Sequence, residues 1–323
     1  MGDLALGVDL GGTNVRAALV DRASGVVRRL ERHALDGRSP EEVAAAVARV
    51  VRAVANEQEV RAFGRLGLGV AGQVLGTSGL VLNAPNLGWR DVPLGPMLAA
   101  ALGAPVRVVN DLSAAAWGES RFGAARGVKD ALVVFVGTGV GCGIVVGGRL
   151  HEGARGVAGE LGHVKVRPPR AGEPPRRCGC GMVGCLEAYA GGANLAARVR
   201  SDLAGGTSSG IGALVGGDLS RITAGHVEQA CAAGDGYARH LWEEVGDLLA
   251  GAVANAVTLL NPERVVLGGG VLRGSLTLRE IVEFHVRAEA SRTAAGGLSI
   301  VTAELEDEAG VVGAALLATE SAA

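Results

Sequence analysis

Cys178, Cys180 and Cys185 lie within eight residues, in the run Cys178-Gly179-Cys180-Gly181-Met182-Val183-Gly184-Cys185. The interspersed glycines let such a chain wrap a small sphere. His163, fifteen positions before Cys178, is the nearest histidine on that side. Three thiolates and one imidazole complete a tetrahedral, closed zinc site, which is structural and not catalytic. A disulfide among three cysteines would leave one thiol unpaired, and a reducing compartment disfavours it. The spacing therefore predicts His163, Cys178, Cys180 and Cys185 as ligands of a structural Zn2+. Cys142 and Cys231 read as core cysteines.

Two glycine turns suggest a second chemistry. Gly7-Val8-Asp9-Leu10-Gly11-Gly12-Thr13-Asn14-Val15-Arg16 and Val134-Phe135-Val136-Gly137-Thr138-Gly139-Val140-Gly141-Cys142-Gly143-Ile144 each set a Gly/Thr turn between two apolar runs. A turn stripped of side chains lets backbone N–H groups close on an anion, and Thr13 and Thr138 add hydroxyl donors. Hairpins also use glycine for backbone reasons alone. No G-x-x-x-x-G-K-S/T run occurs, and the glycines from 137 to 143 do not fit G-x-G-x-x-G, so P-loop and Rossmann fingerprints are both absent. What remains is a pair of β-hairpins on a phosphate tail, one in each half of a duplicated, ATP-handling fold. Asp9, just before the first turn, would then sit where a carboxylate is useful beside Mg2+.

Asp111 stands where the apolar run Val108-Val109-Asn110 gives way to an Ala-rich segment, residues 113–119. Asn and Asp are favoured helix caps; the functional alternative is a general base that accepts a hydroxyl proton during phosphoryl transfer. Glu160 lies three residues before His163, and Glu187 lies two after Cys185. The metal loop would thus stiffen a segment bearing two ligand-binding carboxylates, although each acid alone reads as a solvated surface group. Asn86, in Asn83-Ala84-Pro85-Asn86-Leu87-Gly88-Trp89, sits on a loop beside an aromatic residue, as polyol sites often require.

Positioning these groups takes a sizeable scaffold. At 323 residues and 48% hydrophobic, the chain can fill two domains. Leu4–Leu10, Asn14–Asp21 and residues 25–33 read as successive strands, followed by a helix that Ser39 caps and Pro40 opens. Residues 66–71 and 106–109 read as strands, as do Ala131–Val136 and residues 142–147. Helical patterns follow at Gly192–Ala204, 223–233 and 237–260, then a buried strand at 265–267 running into Gly268-Gly269-Gly270, then a helix at Ala309–Thr319. Residues 205–217 read as a flexible loop and 167–177 as a Pro-stiffened surface loop. A formal net charge of −2 and a pI of about 6.3 argue against nucleic-acid and membrane-surface partners. No apolar run approaches the ~18 residues of a membrane span. No basic leader with an apolar core precedes the first strand, so a cytoplasmic protein is expected.

In this order along essentially the whole chain, these pieces resemble the ROK (repressor, open reading frame, kinase) sugar kinases. The resemblance rests on Asp9-Leu10-Gly11-Gly12-Thr13, Asn110-Asp111, Gly137-Thr138-Gly139-Val140-Gly141, Glu160-Leu161-Gly162-His163 and Cys178-Gly179-Cys180-Gly181. It continues through Asn261-Pro262-Glu263-Arg264-Val265-Val266-Leu267-Gly268-Gly269-Gly270 and Glu308-Ala309-Gly310-Val311-Val312-Gly313-Ala314-Ala315. It implies an actin-like, hexokinase-type (ribonuclease H-like) fold, with two α/β domains around a cleft. The smaller would span residues 1–112, completed by a helix at about 309–323; the larger would span 113–308 and include a zinc loop at 163–187.

The same resemblance implies site roles. Asp111 would be the catalytic base, and Asn86, Asn110, Asp111, Glu160, His163 and Glu187 would contact the hexose. His163 would place one ring nitrogen on zinc and the other toward a sugar hydroxyl. Asp9, Gly11, Gly12, Thr13, Asn14, Gly137, Thr138, Gly139 and Gly141 would hold the phosphates of ATP with Mg2+, and Gly268, Gly269 and Gly270 would face the adenosine. Regulatory members place a DNA-binding helix-turn-helix before the first phosphate loop. Only eight residues precede Asp9 here, which favours the kinase branch. Glu160 stands where N-acetylmannosamine-specific members tend to have histidine, and the segments around Asn86 and Asp111 look most like bacterial glucokinases. The expected activity is transfer of the ATP γ-phosphoryl group to the C6 hydroxyl of glucose, in a homodimer or homotetramer. The alternatives are another hexose (N-acetylglucosamine, mannose or fructose), polyphosphate as donor, or a sugar sensor without turnover.

Overall fold

The computed structural model describes residues 3–76, 78–169 and 172–320. It opens with β1 (Leu4–Leu10), β2 (Asn14–Asp21), β3 (Val27–Ala34), α1 (Pro40–Val54), α2 (Glu57–Ala62), β4 (Leu66–Val70), β5 (Gln73–Leu75), β6 (Leu80–Ala84) and β7 (Trp89–Val92). There follow α3 (Leu94–Leu102), β8 (Val106–Asn110), α4 (Asp111–Phe122), β9 (Ala131–Val136), β10 (Val140–Val146) and β11 (Arg149–Leu150). The remainder is mostly helical: α5 (Glu187–Ala190), α6 (Gly192–Ala204), α7 (Ile211–Leu214), α8 (Ala224–Ala232) and α9 (Gly236–Leu260), then β12 (Arg264–Gly268). After it come α10 (Gly270–Gly274), α11 (Leu276–Glu289), α12 (Arg292–Ala295), β13 (Ser299–Thr302) and α13 (Ala309–Thr319).

Chain compactness defines two units that interleave in sequence. The first takes the residues up to Ala131, Gly143–Gly159 and those from Ala303 onward; the second takes Leu132–Cys142 and Glu160–Thr302. Helix α4, which the sequence reading assigns to the larger domain, belongs with the first unit because it packs along α13. The last three residues of the expected 309–323 helix lie outside the described residues.

In the first unit a five-stranded sheet has the order β3-β2-β1-β4-β8, with β1, β2 and β3 antiparallel and β1, β4 and β8 parallel. Every residue of β4 is buried, as expected of a central parallel strand. Helix α1 buries Val43, Val47, Val50, Val51 and Val54, and its start carries the expected Ser39 cap, reinforced by Glu42 in a capping box. A small sheet, β5-β6-β7, lies beyond β4.

Helix α13 packs on β1, β4 and α4 at distances only glycine allows. A Cβ at Gly67 of β4 would lie 1.7 Å from the Ala314 carbonyl oxygen, and one at Gly313 would lie 1.7 Å from that of Ala114. The fully buried Glu119 of α4 ties the same region together. Its carboxylate accepts the backbone N–H groups of Ala124 (2.8 Å), Glu304 (3.1 Å) and Leu305 (2.8 Å).

The second five-stranded sheet has the order β11-β10-β9-β12-β13, with β12 and β13 parallel. In the second unit the long helix α9 packs on α11, which buries Leu278, Val282 and Val286. Residues 205–217, expected to be a flexible loop, instead contain α7, whose Ile211 is fully buried, and Asp235 accepts from Ser209 Oγ and Gly210 N. Of the Pro-rich segment 167–177, Arg170 and Ala171 lie outside the described residues. None of the described helices is long and apolar enough to cross a membrane.

Glu119 yields a stability prediction. Glu119→Ala removes an acceptor from one buried amide, Ala124 N, and from two part-buried ones, Glu304 N and Leu305 N. At about 1–3 kcal/mol for a buried polar group that loses its partner, the variant should be destabilised by about that much, seen as a drop in urea midpoint; a midpoint equal to wild type would contradict this role.

Candidate functional site

The first unit gathers its candidate residues at the carboxyl ends of β1, β4 and β8. Pairing sets Asp9 level with Gly69, and Val70 level with Asn110. A Cβ at Gly69 would touch the Asp111 Cα at 3.3 Å, so Asp111 lies directly against that strand end. Carboxyl edges of parallel strands are where ligands bind in open α/β sheets. The local chemistry of the Asn110-Asp111 pair divides cleanly. Asn110 is the helix cap: its side-chain oxygen accepts from Leu112 N (2.9 Å) and Ser113 N (3.1 Å), and its Nδ2 donates to the Gly72 carbonyl at 3.0 Å. Asp111 is the first residue of α4, bonded through Oδ1 to its neighbour Leu112 N at 3.0 Å. The cap position itself is therefore taken by Asn110.

The first glycine turn joins β1 to β2. Gly11 N donates to Asn14 O at 3.0 Å, closing the turn, and Asn14 Nδ2 donates to Thr13 Oγ1 at 2.9 Å. Asn86 lies against it, since a Cβ at Gly12 would fall 2.9 Å from the Asn86 Cβ. Asp9 is ion-paired with Arg16, the residue directly opposite it across the hairpin. Oδ2 makes this contact. A hydrated divalent cation needs only one or two carboxylates beside phosphate oxygens, so Asp9 fits Mg2+ through its other oxygen.

In the second unit the turn at 137–139 is one residue tighter. Gly137 N donates to Gly139 O at 2.9 Å, while Gly141 lies inside β10, beyond the turn. The turn carbonyls are taken by the start of α6: Gly192 N donates to Gly137 O (2.9 Å) and Ala193 N to Thr138 O (3.1 Å). Among the described residues nothing accepts from the N–H groups of Gly12, Thr13, Thr138 or Gly139. Each turn thus leaves two consecutive amides without an acceptor among the described residues. Gly269, at φ +87°, packs on β9 where a Cβ would meet the Val136 carbonyl at 2.5 Å, so residues 268–270 adjoin this turn.

Beside it lies a cluster in which one ligand atom each from His163, Cys178, Cys180 and Cys185 falls within 4.8 Å of all the others. Cys180 Sγ and Cys185 Sγ are 3.8 Å apart, as are Cys178 Sγ and His163 Nδ1. Tetrahedral zinc with Zn–S bonds of about 2.3 Å spaces its sulfurs about 3.8 Å apart. Donor set and spacing both fit a closed zinc site. Burial pushes the Cys178 thiol up to about 12, so a metal there would have to displace its proton. Lys165, one of the chain's two lysines, donates to Cys185 Sγ (3.0 Å) and to Val183 O (2.8 Å), offsetting the negative charge three thiolates would bring.

His163 Nε2 lies 3.4 Å from Glu160 Oε2. The nitrogen expected to reach a sugar hydroxyl therefore faces a carboxylate of its own loop, an arrangement that orients a metal-bound imidazole. Glu187 Oε2 accepts from Val140 N at 3.0 Å, and Oε1 lies 3.7 Å from Cys178 Sγ. Cys142 is buried with its thiol pushed up to about 12 by that burial, as suits a core cysteine.

Asp9, Gly11, Gly12, Thr13, Asn14, Asn86, Asn110 and Asp111 thus group in the first unit, and the remaining expected site residues in the second. The sequence reading missed Arg16, Lys165 and Gly192. Arg16 could have been found by counting the hairpin register outward from the turn. The other two had no local signal.

The ROK family model matches residues 5–321. A glucokinase of Streptomyces coelicolor is 34% identical over 321 residues, covering 98% of both chains. An N-acetylmannosamine kinase of Salmonella heidelberg is 32% identical over 322 residues, 97% of each. Among solved structures, a ROK family glucokinase from Streptomyces griseus in complex with glucose and AMPPNP is 32% identical, with a TM-score of 0.80 over 98% of this chain and 100% of that one. The fold is the actin-like, hexokinase-type α/β fold.

The cluster geometry predicts one zinc per chain in purified protein. Cys178→Ser should abolish or strongly reduce the metal content measured by elemental analysis. Wild-type protein without zinc, or with a disulfide among these cysteines, would refute the assignment.

Proposed function

The chain belongs to the ROK family, and from that premise we propose that it is a hexose kinase that moves the γ-phosphoryl group of ATP to the C6 hydroxyl of glucose. The observation that supports this best is where Asp111 stands: it lies against Gly69 at the carboxyl end of β4, next to the cap residue Asn110. Asp111 would accept the C6 hydroxyl proton as that oxygen bonds to the γ-phosphorus and the bond to the ADP oxygen breaks. The paired amides of Gly12 with Thr13 and of Thr138 with Gly139 would meet phosphate oxygens on which charge develops. Asp9, steadied by Arg16, would hold Mg2+, which supplies further neutralisation of that charge. Gly268, Gly269 and Gly270, adjoining the second turn, are the candidates for the adenosine side.

For the sugar, Asn86, Asn110, Glu160, His163 and Glu187 are the proposed contacts. A carboxylate accepts from neighbouring hydroxyls, and a site built on such acceptors penalises analogues that leave them unpaired. Glu160 is the residue on which the choice of glucose rests. Zinc on His163 and the three cysteines would be structural, holding the loop that bears Glu160 and Glu187. The 32% identity to the Salmonella N-acetylmannosamine kinase favours a second reading, a kinase for that or another hexose.

Two measurements test the proposal. Asp111→Asn keeps shape and should lower kcat by about 10²–10⁴, the usual worth of a general base, without loss of fold; near-normal turnover would remove Asp111 from the chemistry. Across a panel of hexoses with ATP and Mg2+, glucose should give the highest kcat/KM, and Glu160→Gln should depress its use while zinc stays bound. A higher kcat/KM with N-acetylmannosamine would favour the second reading.

A further inference from the structure

The second glycine turn is held on three sides, and one of the three holds is a side chain. On its carbonyl side, the first amides of α6 bond Gly137 O and Thr138 O at 2.9 and 3.1 Å. Next to it, a Cβ at Gly162 would lie 2.0 Å from the Val140 carbonyl oxygen, so the Glu160–His163 loop presses directly on the start of β10. The remaining hold is Glu187. Its Oε2 accepts from Val140 N at 3.0 Å and would meet a Cβ at Gly139 only 2.3 Å away. The backbone of the same residue is also committed: Glu187 O accepts from Gly191 N (3.0 Å) and Asn194 Nδ2 (3.0 Å). Glu187 Oε1 meanwhile faces Cys178 Sγ at 3.7 Å. One side chain therefore spans the interval between the Cys/His cluster and the turn.

We infer that Glu187 is a positioning residue for the nucleotide side of the site: its carboxylate fixes the Gly137–Val140 turn so that the Thr138 and Gly139 amides point outward to phosphate. The inference rests on reading that turn as a phosphate cradle. Its physical basis is the carboxylate's reach. Only an oxygen acceptor at the end of a two-methylene side chain can meet the Val140 amide from the backbone of α5. Without that acceptor, the amide would turn toward water and the neighbouring amides would lose their common direction. This role is separate from any contact Glu187 makes with sugar.

The test uses zinc-loaded full-length protein and titrates ADP with Mg2+ by calorimetry in the absence of sugar. Wild type should bind ADP. Glu187→Ala and Glu187→Asp, the latter keeping the charge but drawing the oxygen back, should each weaken ADP about tenfold, the worth of one charge-assisted hydrogen bond. Glu187→Gln retains an oxygen at the same reach and should bind ADP within about threefold of wild type, while its KM for glucose rises. A side chain that merely filled space, or that met only sugar, would not produce this split. Equal ADP affinity in wild type, Glu187→Ala and Glu187→Asp overturns the inference while leaving the turn a phosphate cradle. Loss of zinc accompanying the weakened ADP binding also overturns it, because collapse of the cluster would then be the cause. Failure of the wild type to bind ADP overturns the reading of the turn itself, and this inference with it.

Discussion

The first unit depends on how closely α13 approaches its neighbours. A Cβ at Gly7 would lie 2.0 Å from the Val311 carbonyl oxygen, one at Gly67 1.7 Å from that of Ala314, and one at Gly118 2.5 Å from that of Ala309. No side chain larger than hydrogen fits at these points. The helix itself is almost entirely Ala, Gly, Val and Leu, and it is buried nearly all round, as expected of a helix inside a core. Its start also lies beside Asp9, because a Cβ at Gly310 would come within 3.2 Å of the Asp9 carboxyl carbon. The same rod thus sets the depth of β1, which bears Asp9, and of α4, which begins with Asp111. Backbone-to-backbone contact of this kind is stiff, since interiors do not deform smoothly.

The second unit meets the same requirement with further means. Between β11 and α5 the chain forms little regular structure, so few helix or ladder bonds are available to hold Glu160 and His163 in place or to anchor the short α5 that Glu187 begins. The Cys/His cluster substitutes for them. It gathers residues 163, 178, 180 and 185 within 4.8 Å, and the bond from Lys165 to Val183 O fastens one side of the knuckle to the strand-like segment next to it. Close glycine contacts occur in both units, but in the second the Cys/His cluster and side-chain hydrogen bonds are added to them.

What the sequence reveals and what it hides follow from range. The cap at Ser39, the hairpins around both glycine turns and the C-x-C-x4-C run are local, and each is found where its residues indicate. Asn110 and not Asp111 is the cap of α4, which their residue types alone do not distinguish, because either suits that place. Helix α11 is faint in sequence: Leu278, Val282 and Val286 mark its buried side, but Phe284, 69% exposed, blurs the pattern. Strands β5, β6 and β7 are short, with isolated buried positions and no sustained alternation. The purpose of Glu119 was invisible, since the amides of residues 304 and 305 lie 185 and 186 positions away.

That separation has a consequence for how the protein is made. Residues 304 and 305 leave the ribosome long after Glu119, at about 5–20 residues per second some 10–40 s later. Until then Glu119 has lost none of its need for donors, and the glycine-lined faces of β1, β4 and α4 have no rod to fill them. The nascent first unit must spend that interval open, its carboxylate still hydrated. Nearly the whole of the second unit is synthesised during the wait, as one uninterrupted stretch from Glu160 to Thr302. The order of completion is therefore inverted relative to the order of synthesis: the unit begun first closes last, when α13 arrives.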